Sequence, residues 1–503
     1  MNSISEAKVF DNQENIDKAL ENIKTYLQEA CEKSKSAHEV EKEIWQKILA
    51  IGYEALGWYF RQYGDGDYGV ELKVSGDTTL KKSEKLHTKN YRTVFGKYKL
   101  KRYVYARGKK QKIECIPLDS TLQLPKSSYS YMLQNWSQKL CVESPYGLVS
   151  RTLEEMLFQK IPVDTLEKMN STQAKFVGEY RENKPAPDAE NEGELMVIGC
   201  DAKGIMIRHE KDCATIHEHK NKRGPKPNRK KMATLAVSYT VDRFIRSPKE
   251  IIKALFSEKK LLKNKNRKRP EPQHKQVFAS LNYIENDVEI KATETACQWM
   301  SDQVRKRNSQ RKKVVILLMD GQLSLWNSAK KSLTGCLRIE ILDLLHVTPK
   351  LWEVAQTFFG QNNKKVIPFI KEALRNVLDG NVYGVIQHFK ALAVKNDLSK
   401  SQIASIQKIC SYFKKNQKRM QYHQYLKMGY PIATGVLEGA CRHFIKDRFE
   451  RAGMRWSILG AQAMLDLRSV YLNEDWTNFM NFYIQQEQKS LYPHTHVFQK
   501  RAT

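Results

Sequence analysis

Apolar residues recur at helical spacing over residues 14–60: Ile16, Leu20, Ile23 and Leu27, then Val40, Ile44, Ile48 and Ile51. Two amphipathic helices are predicted there, of the kind that ordinarily just pack. Over 91–105 the period changes to two. Tyr98, Leu100 and Val104 fall on one face, and Lys97, Lys99, Lys101, Tyr103 and Tyr105 on the other, which predicts a two-stranded ribbon. Helical spacing returns over 130–182, with one helix from Tyr146 and another over Thr165–Tyr180, broken by Ile161-Pro162-Val163-Asp164. That pair reads equally as a helix-turn-helix and as plain packing.

A polar linker with Pro185 and Pro187 spans 185–194. Beyond it, the apolar run Leu195–Cys200 predicts a strand ending at Asp201, followed by strands over Gly204–Arg208 and Thr234–Val241. A helix over Glu289–Lys306 precedes strands at Val314–Met319 and Arg338–Leu342. Residues 350–428 read as entirely helical, and Glu438–Arg451 and Ser457–Tyr471 as the last strong helices. This order predicts an α/β domain, a mixed sheet flanked by helices, with an all-helical insertion before its last part. A mainly helical N-terminal region with a β-hairpin precedes it.

Charge sharpens that picture. Lys plus Arg is 85 against 56 acidic residues, a formal net charge of +29. An excess of that size favours a polyanion, nucleic acid first. The basic residues cluster. Lys97, Lys99, Lys101 and Arg102 lie on the ribbon, and Lys222, Arg223, Arg229 and Lys230 in a Gly- and Pro-bearing segment read as a loop. The ribbon suits phosphate contact and stacking, and a solvated basic edge strand reads the same way. No run of about 18 apolar residues suggests a membrane helix. Met1–Glu6 lacks the basic-then-apolar pattern of a signal peptide. Nine cysteines without a Cys-x-x-Cys pair point to a reducing cytoplasm. Cys213, His217 and His219 are spaced poorly for zinc and lack a near fourth ligand.

Candidate chemistry rests on three acids. Asp201 and Asp320 each close an apolar run, and Glu438 opens a helical stretch. The predicted strand order puts the two aspartates on adjacent central strands, across which a helix carrying Glu438 can pack. Carboxylates so gathered supply the hard oxygen ligands that a pair of Mg²⁺ ions takes, with Mn²⁺ able to substitute. In so basic a chain the matching substrate is a phosphodiester.

The segment Gly429-Tyr430-Pro431-Ile432-Ala433-Thr434-Gly435-Val436-Leu437-Glu438-Gly439-Ala440-Cys441-Arg442-His443, followed by Lys446-Asp447-Arg448 and Gly453-Met454-Arg455-Trp456-Ser457, resembles the C-terminal signature of bacterial insertion-sequence transposases of the Kra type (ISKra family). These are DDE transposases with an RNase H-like catalytic domain, related to the Mutator group. Val197-Ile198-Gly199-Cys200-Asp201 resembles their first-aspartate motif and Leu318-Met319-Asp320-Gly321 the second. Asp343-Leu344-Leu345-His346 resembles the Asp-x-x-His of the Mutator-like branch. Many relatives carry cysteine pairs beside the hairpin, whereas here Cys115 alone is near.

The resemblance implies that Asp201, Asp320 and Glu438 are the metal ligands, with Asp343 and His346 near the site. His346 would orient a ligand or contact phosphate, and a buried, hydrogen-bonded histidine fits the sequence as well. Arg442, Lys446, Arg448 and Arg455 suit DNA contact, or simply a solvated face. Trp456 suits stacking on an unpaired base, or the core. The resemblance further implies binding of terminal inverted repeats, strand cleavage and strand transfer into target DNA. It implies a homodimer or larger synaptic assembly, no membrane, and a place with the bacterial nucleoid in the cytoplasm. An RNase H-like nuclease or resolvase without strand transfer stays open, as does a domesticated sequence-specific DNA-binding protein. The expected boundaries are 1–66 for N-terminal helices, 67–184 for DNA binding, and 185–194 for the linker. The catalytic domain takes 195–349 and 429–475, the insertion 350–428, and a tail 476–503.

Overall fold

The computed structural model describes residues 14–74, 78–109, 111–208, 230–256, 268–285, 287–396, 398–451, 454–494 and 497. Cys213, His217, His219, Lys222, Arg223 and Arg229 lie outside the described residues. The chain divides into two units, Met1–Phe176 with Asp475–Thr503, and Val177–Glu474. Among the described residues, no helix is long and apolar enough to cross a membrane.

The first unit opens on helices Glu14–Glu32 and Ala37–Gln62. A capping box starts the second: the Ser36 hydroxyl accepts from Glu39 N–H, and the Glu39 carboxylate accepts from Ser36 N–H at 3.0 Å. Strands β1 (Glu71–Lys73), β2 (Thr79–Lys82), β3 (His87–Arg92), β4 (Lys97–Arg102), β5 (Tyr105–Ala106) and β6 (Ile113–Cys115) follow. β3 and β4 form the expected hairpin, with Tyr91 opposite Tyr98. Alternation buries Tyr98 and Leu100 and exposes Lys97, Lys99 and Lys101. Tyr98 stacks on Tyr53 at 4.5 Å. The expected strand does not run on to 105, however. β5 leaves for a second sheet in the order β1-β2-β5-β6, where Tyr105 is fully buried rather than open. Arg102 also departs from its expected surface role. It is largely buried and pairs with Asp119 at 2.7 Å, and Lys89 reaches the same carboxylate at 3.4 Å.

Helices Tyr131–Cys141, Tyr146–Leu157 and Val163–Ala174 complete the N-terminal part. The last breaks after Ala174, and Val177–Asn183 forms a separate helix in the other unit. Residues expected as a tail form the helix Trp476–Leu491, which closes the first unit. Trp476 Nε1 donates to Asn135 at 2.7 Å, and Tyr131 Oη donates to Glu487 at 2.8 Å.

The second unit is built on a five-stranded mixed sheet. Its strands are β7 (Leu195–Met206), β8 (Lys230–Val241), β9 (Gln273–Ser280), β12 (Val314–Met319) and β13 (Arg338–Leu342), with a small hairpin of β10 (Tyr283–Glu285) and β11 (Val288–Ile290) between. The spatial order is β13-β12-β7-β8-β9. β8 runs antiparallel to β7 and β9, while β12 runs parallel to β7 and β13. The two strands predicted either side of Ala202 are one. β7 continues unbroken through Asp201, which pairs with Leu235, to Met206 opposite Lys230. Lys230 therefore stands in a strand and not in a loop, 3.4 Å from Glu450.

Alternation gives the sheet two apolar faces. Leu195, Val197, Ile316 and Leu318 face the helical block, while Met196, Ile198, Leu317 and Met319 face helices Ala292–Arg307 and Leu323–Ser332. The block comprises Leu344–Phe359, Val366–Leu378, Val382–Lys395, Lys400–Asn416 and Tyr422–Lys427, so the helical reading of 350–428 corresponds to observed helices. The linker before β7 is anchored at Glu192, whose carboxylate meets Arg307 and Lys313 with its side chain 1% exposed.

Candidate active site

The sheet register lines up the candidate acids. Ile198 pairs with Leu317, and Asp201 and Asp320 each lie three residues further along their parallel strands (198 + 3 and 317 + 3). Met319 pairs with Leu342, and the next residues are Asp320 and Asp343. Three aspartates thus stand at one level: Asp201 midway along β7, and Asp320 and Asp343 directly after β12 and β13, at the carboxyl ends of those two strands. Open α/β sheets commonly bind ligands at that edge.

Glu438 comes from the other side. It sits on the short helix Gly435–Ala440. Leu437 of that helix packs over Gly199: a Cβ added there would lie 3.7 Å from Leu437 Cδ2 and would run into the Leu318 carbonyl oxygen. A glycine two residues before Asp201 lets the helix and β12 come this close. The helical stretch expected over 438–451 runs on to Phe449, but not as one regular α-helix. Residues Cys441–Lys446 widen into a π-helix, a form often found at functional sites.

The approach to Glu438 is locked by Asp343, which is fully buried. Its Oδ1 accepts from Leu345 N–H at 2.9 Å and from Thr434 N–H at 3.3 Å, and its Oδ2 accepts from the Thr434 hydroxyl. Leu344 N–H donates to the Ile432 carbonyl at 2.9 Å, and Asp343 N–H to the Met319 carbonyl at 2.9 Å. Asp343 therefore joins β12, the helical block and the segment leading to Glu438. We expect Thr434→Val to cost about 1–3 kcal/mol, because a buried carboxylate loses a donor that no water replaces. Urea unfolding of the two proteins measures the difference.

Electrostatics couple Asp320 to Asp201 and Asp343. Burial first, and then the Asp201 charge, push the Asp320 carboxyl above its ordinary value; the Gln322 N–H at 2.9 Å opposes the shift. Asp201 Oδ2 lies 3.1 Å from Lys203 Nζ and accepts from the Cys441 thiol at 3.3 Å. Burial works against the Lys203 charge, but Asp201, with Cys441 and Glu438, outweighs it and raises its pKa. Burial, then Asp201, then Glu438 also raise the Cys441 thiol. Glu438 thus acts on both groups that touch Asp201. His346 Nδ1 lies 3.4 Å from Asp343 Oδ2, and that contact raises the imidazole pKa against the effect of burial.

As a donor set for a hard divalent cation, Asp201, Asp320 and Glu438 fit in type: all are carboxylates, and Asp320 carries a charge that its surroundings penalise. Among the described residues, no group of three or more His, Cys, Asp or Glu side chains is gathered as a metal cluster. Asp201 instead leans on Lys203 and Cys441.

The remaining candidates separate clearly. Arg442, Lys446 and Arg455 are exposed. Arg448 and Trp456 are not. Arg448 is completely buried and Trp456 is 8% exposed, with the guanidinium 4.8 Å over the indole and Phe449 4.8 Å away. The backbone of Trp456 also extends the sheet, donating to the Met206 carbonyl at 3.0 Å and accepting from Arg208 N–H at 2.8 Å. Both side chains are core in this structure, which corrects the expected surface contact of Arg448 and meets the core reading of Trp456. Four residues beside the acids went unmarked in the sequence: Lys203, Thr434, Cys441 and Tyr412. Lys203 was findable, since a residue two positions past Asp201 in a strand shares its face.

No protein-family model matches the chain, and no curated protein matches it. Among solved structures it is similar to one described as "Drosophila P element transposase strand transfer complex", at 9% sequence identity over 74% of this chain and 84% of that chain, with a TM-score of 0.25. Likeness at that score does not establish a shared fold. What stands is a mixed sheet flanked by helices, compatible with an RNase H-like catalytic fold, with acids aligned along one edge of its parallel strands.

Proposed function

We propose that this chain is a DDE transposase of the insertion-sequence type, related to the Kra and Mutator groups, acting on DNA ends through Asp201, Asp320 and Glu438. The observation that carries the reading is the register: Asp201 and Asp320 lie equally far past one strand pair, and the Asp201 charge bears on the Asp320 carboxyl. The motif around Glu438 and the excess of basic residues support it. The three carboxylates would hold two Mg²⁺ ions. Bound there, the metals would supply Lewis acidity toward the attacking and leaving oxygens of a phosphodiester.

The chain's own groups divide the remaining work. Lys203 and Cys441 hold the Asp201 carboxylate. Asp343 and Thr434 hold the segment that presents Glu438. Exposed Arg442, Lys446 and Arg455 suit the phosphate backbone next to the acids. Residues 67–184, with the Lys97, Lys99 and Lys101 face, are assigned to recognition of the inverted repeats, and a dimer or larger assembly to holding two ends together.

The experiment is cleavage of labelled duplex carrying the inverted repeats that flank the gene, with Mg²⁺, by the wild type and by Asp201→Asn. Wild-type nicking at the element end, followed by joining to target DNA and absent in the variant, is expected. Nicking without joining would favour a nuclease or resolvase, and equal cleavage by both proteins would remove Asp201 from the site.

Binding to those ends should also weaken steeply with salt, because phosphate neutralisation releases counterions. Removing Lys99 and Lys101 together should reduce the slope of log K against log salt by about 2, about one per lost contact. A titration series across ionic strengths measures that slope, and an unchanged slope would return the hairpin to a merely solvated strand.

A further inference from the structure

The Asp320–Gly321 turn is gripped from two sides, and both grips reach back to one end of the helical block. On the first side stands Tyr412, in the last turns of the helix Lys400–Asn416. Its phenol ring occupies the space that a Cβ at Gly321 would need. A side chain at Gly321 would have to displace the ring of Tyr412, which comes from a distant helix. The Gly321 N–H bears on the phenol oxygen, and the charges of Asp320 and Asp343 act on the phenol. Burial, followed by those two carboxylates, raises the Tyr412 hydroxyl above its ordinary value.

On the second side stands Trp326, fully buried, whose Nε1 donates to the Asp320 carbonyl oxygen at 2.6 Å. The Arg419 guanidinium lies 3.9 Å over that indole. Arg419 Nε in turn pairs with Glu340 of β13 at 2.9 Å. Arg419 follows Tyr412 by about two helical turns. The same end of the block thus holds the turn directly through Tyr412 and indirectly through Arg419 and Trp326.

We propose that Tyr412 is a positioning residue for Asp320, which makes the helical block a working part of the acidic site and not an appended domain. The proposal rests on the reading of Asp320 as a metal ligand. A ligand on a loop after a strand has backbone freedom, and a metal site works only when such freedom is removed by neighbouring contacts. The ring fixes the turn by packing against Gly321, and the hydroxyl adds a dipole beside the carboxylates.

The test uses the full chain with Tyr412→Phe and Tyr412→Ala. Mn²⁺ binding is measured by electron paramagnetic resonance in the absence of DNA, alongside melting temperature, affinity for end DNA, and the Mg²⁺ concentration giving half-maximal cleavage. Tyr412→Ala is expected to weaken Mn²⁺ binding about 10- to 100-fold, in the range set by groups that support metal ligands, while DNA affinity stays unchanged. Tyr412→Phe is expected to give a smaller loss of about threefold or more, with unchanged melting. The half-maximal Mg²⁺ concentration should rise in parallel. Mn²⁺ binding by Tyr412→Ala equal to wild type, with Asp320→Asn unable to bind it, would overturn the proposal and leave the active-site reading standing. Undiminished Mn²⁺ binding and cleavage by Asp320→Asn would overturn that reading itself. If Tyr412→Ala does not fold, Tyr412→Leu, which also removes the ring, decides: wild-type Mn²⁺ affinity in that variant overturns the proposal.

Discussion

Asp320→Asn should abolish cleavage of end DNA and, in the same protein, raise the melting temperature. The first effect follows if Asp320 is a ligand. Losing several kcal/mol of charge stabilisation at the reacting phosphate corresponds to about a thousandfold in rate or more. The second follows from its environment. Burial and the neighbouring Asp201 hold the Asp320 carboxyl above its ordinary value of 3.8. The folded state therefore takes up a proton that the unfolded chain has already released, and stability falls as pH rises through that window. Above the folded pKa the ionised carboxylate keeps its full cost. Asparagine carries none of it and can still accept from Gln322 N–H as Asp320 Oδ1 does at 2.9 Å. In the presence of a chelator, the variant should melt above wild type at pH 7, and the gap should close as pH falls below the unfolded value. A lower melting temperature at pH 7 would show that Asp320 is held by favourable contacts rather than poised against unfavourable ones.

The largest expected loss of stability lies away from the acids. Glu192→Ala should destabilise the second unit by about 3–5 kcal/mol, since it strands cations in the interior. Glu192 Oε1 accepts from Arg307 Nε at 2.6 Å, and Oε2 lies 3.1 Å from Lys313 Nζ. The Arg307 and Glu192 side chains are 2% and 1% exposed. Arg307 also donates to Ser238 on β8 at 3.1 Å, so the network fastens the helix Ala292–Arg307 to the sheet. Replacing both partners by apolar residues, Glu192→Leu with Arg307→Met, should recover most of the loss, because no unpaired guanidinium then remains. Guanidinium denaturation of the two single variants and the double measures the coupling. Additive losses would mean that the pair does not act as a unit.

The second unit is legible through its strands, because strands buried on both faces leave apolar runs that are hard to misread. Val314–Met319 and Arg338–Leu342 were read to the residue. The run at 195–206 was broken in two because Asp201, Lys203 and Gly204 interrupt it, although polar groups are what a strand entering a site carries. β9 went unread: its first half is polar, and only Val277–Ser280 is buried. The acids were legible because each sits beside an apolar run. Tyr412 was not, since nothing near it in the chain records that its ring would stand over Gly321. Arg448 and Trp456 misled for a related reason. A cation and an indole beside a conspicuous motif read as surface chemistry, and here they stack on each other in the interior.

The first unit takes residues from both sides of the second: Asn135 and Tyr131 find their partners in Trp476 and Glu487. During synthesis those partners are made only after all of residues 177–474. The region assigned to holding DNA ends therefore cannot finish folding before the region assigned to cutting them has been produced. A nascent or prematurely stopped chain lacks the helix that completes the first unit, so translation itself sets the order in which the two units are finished.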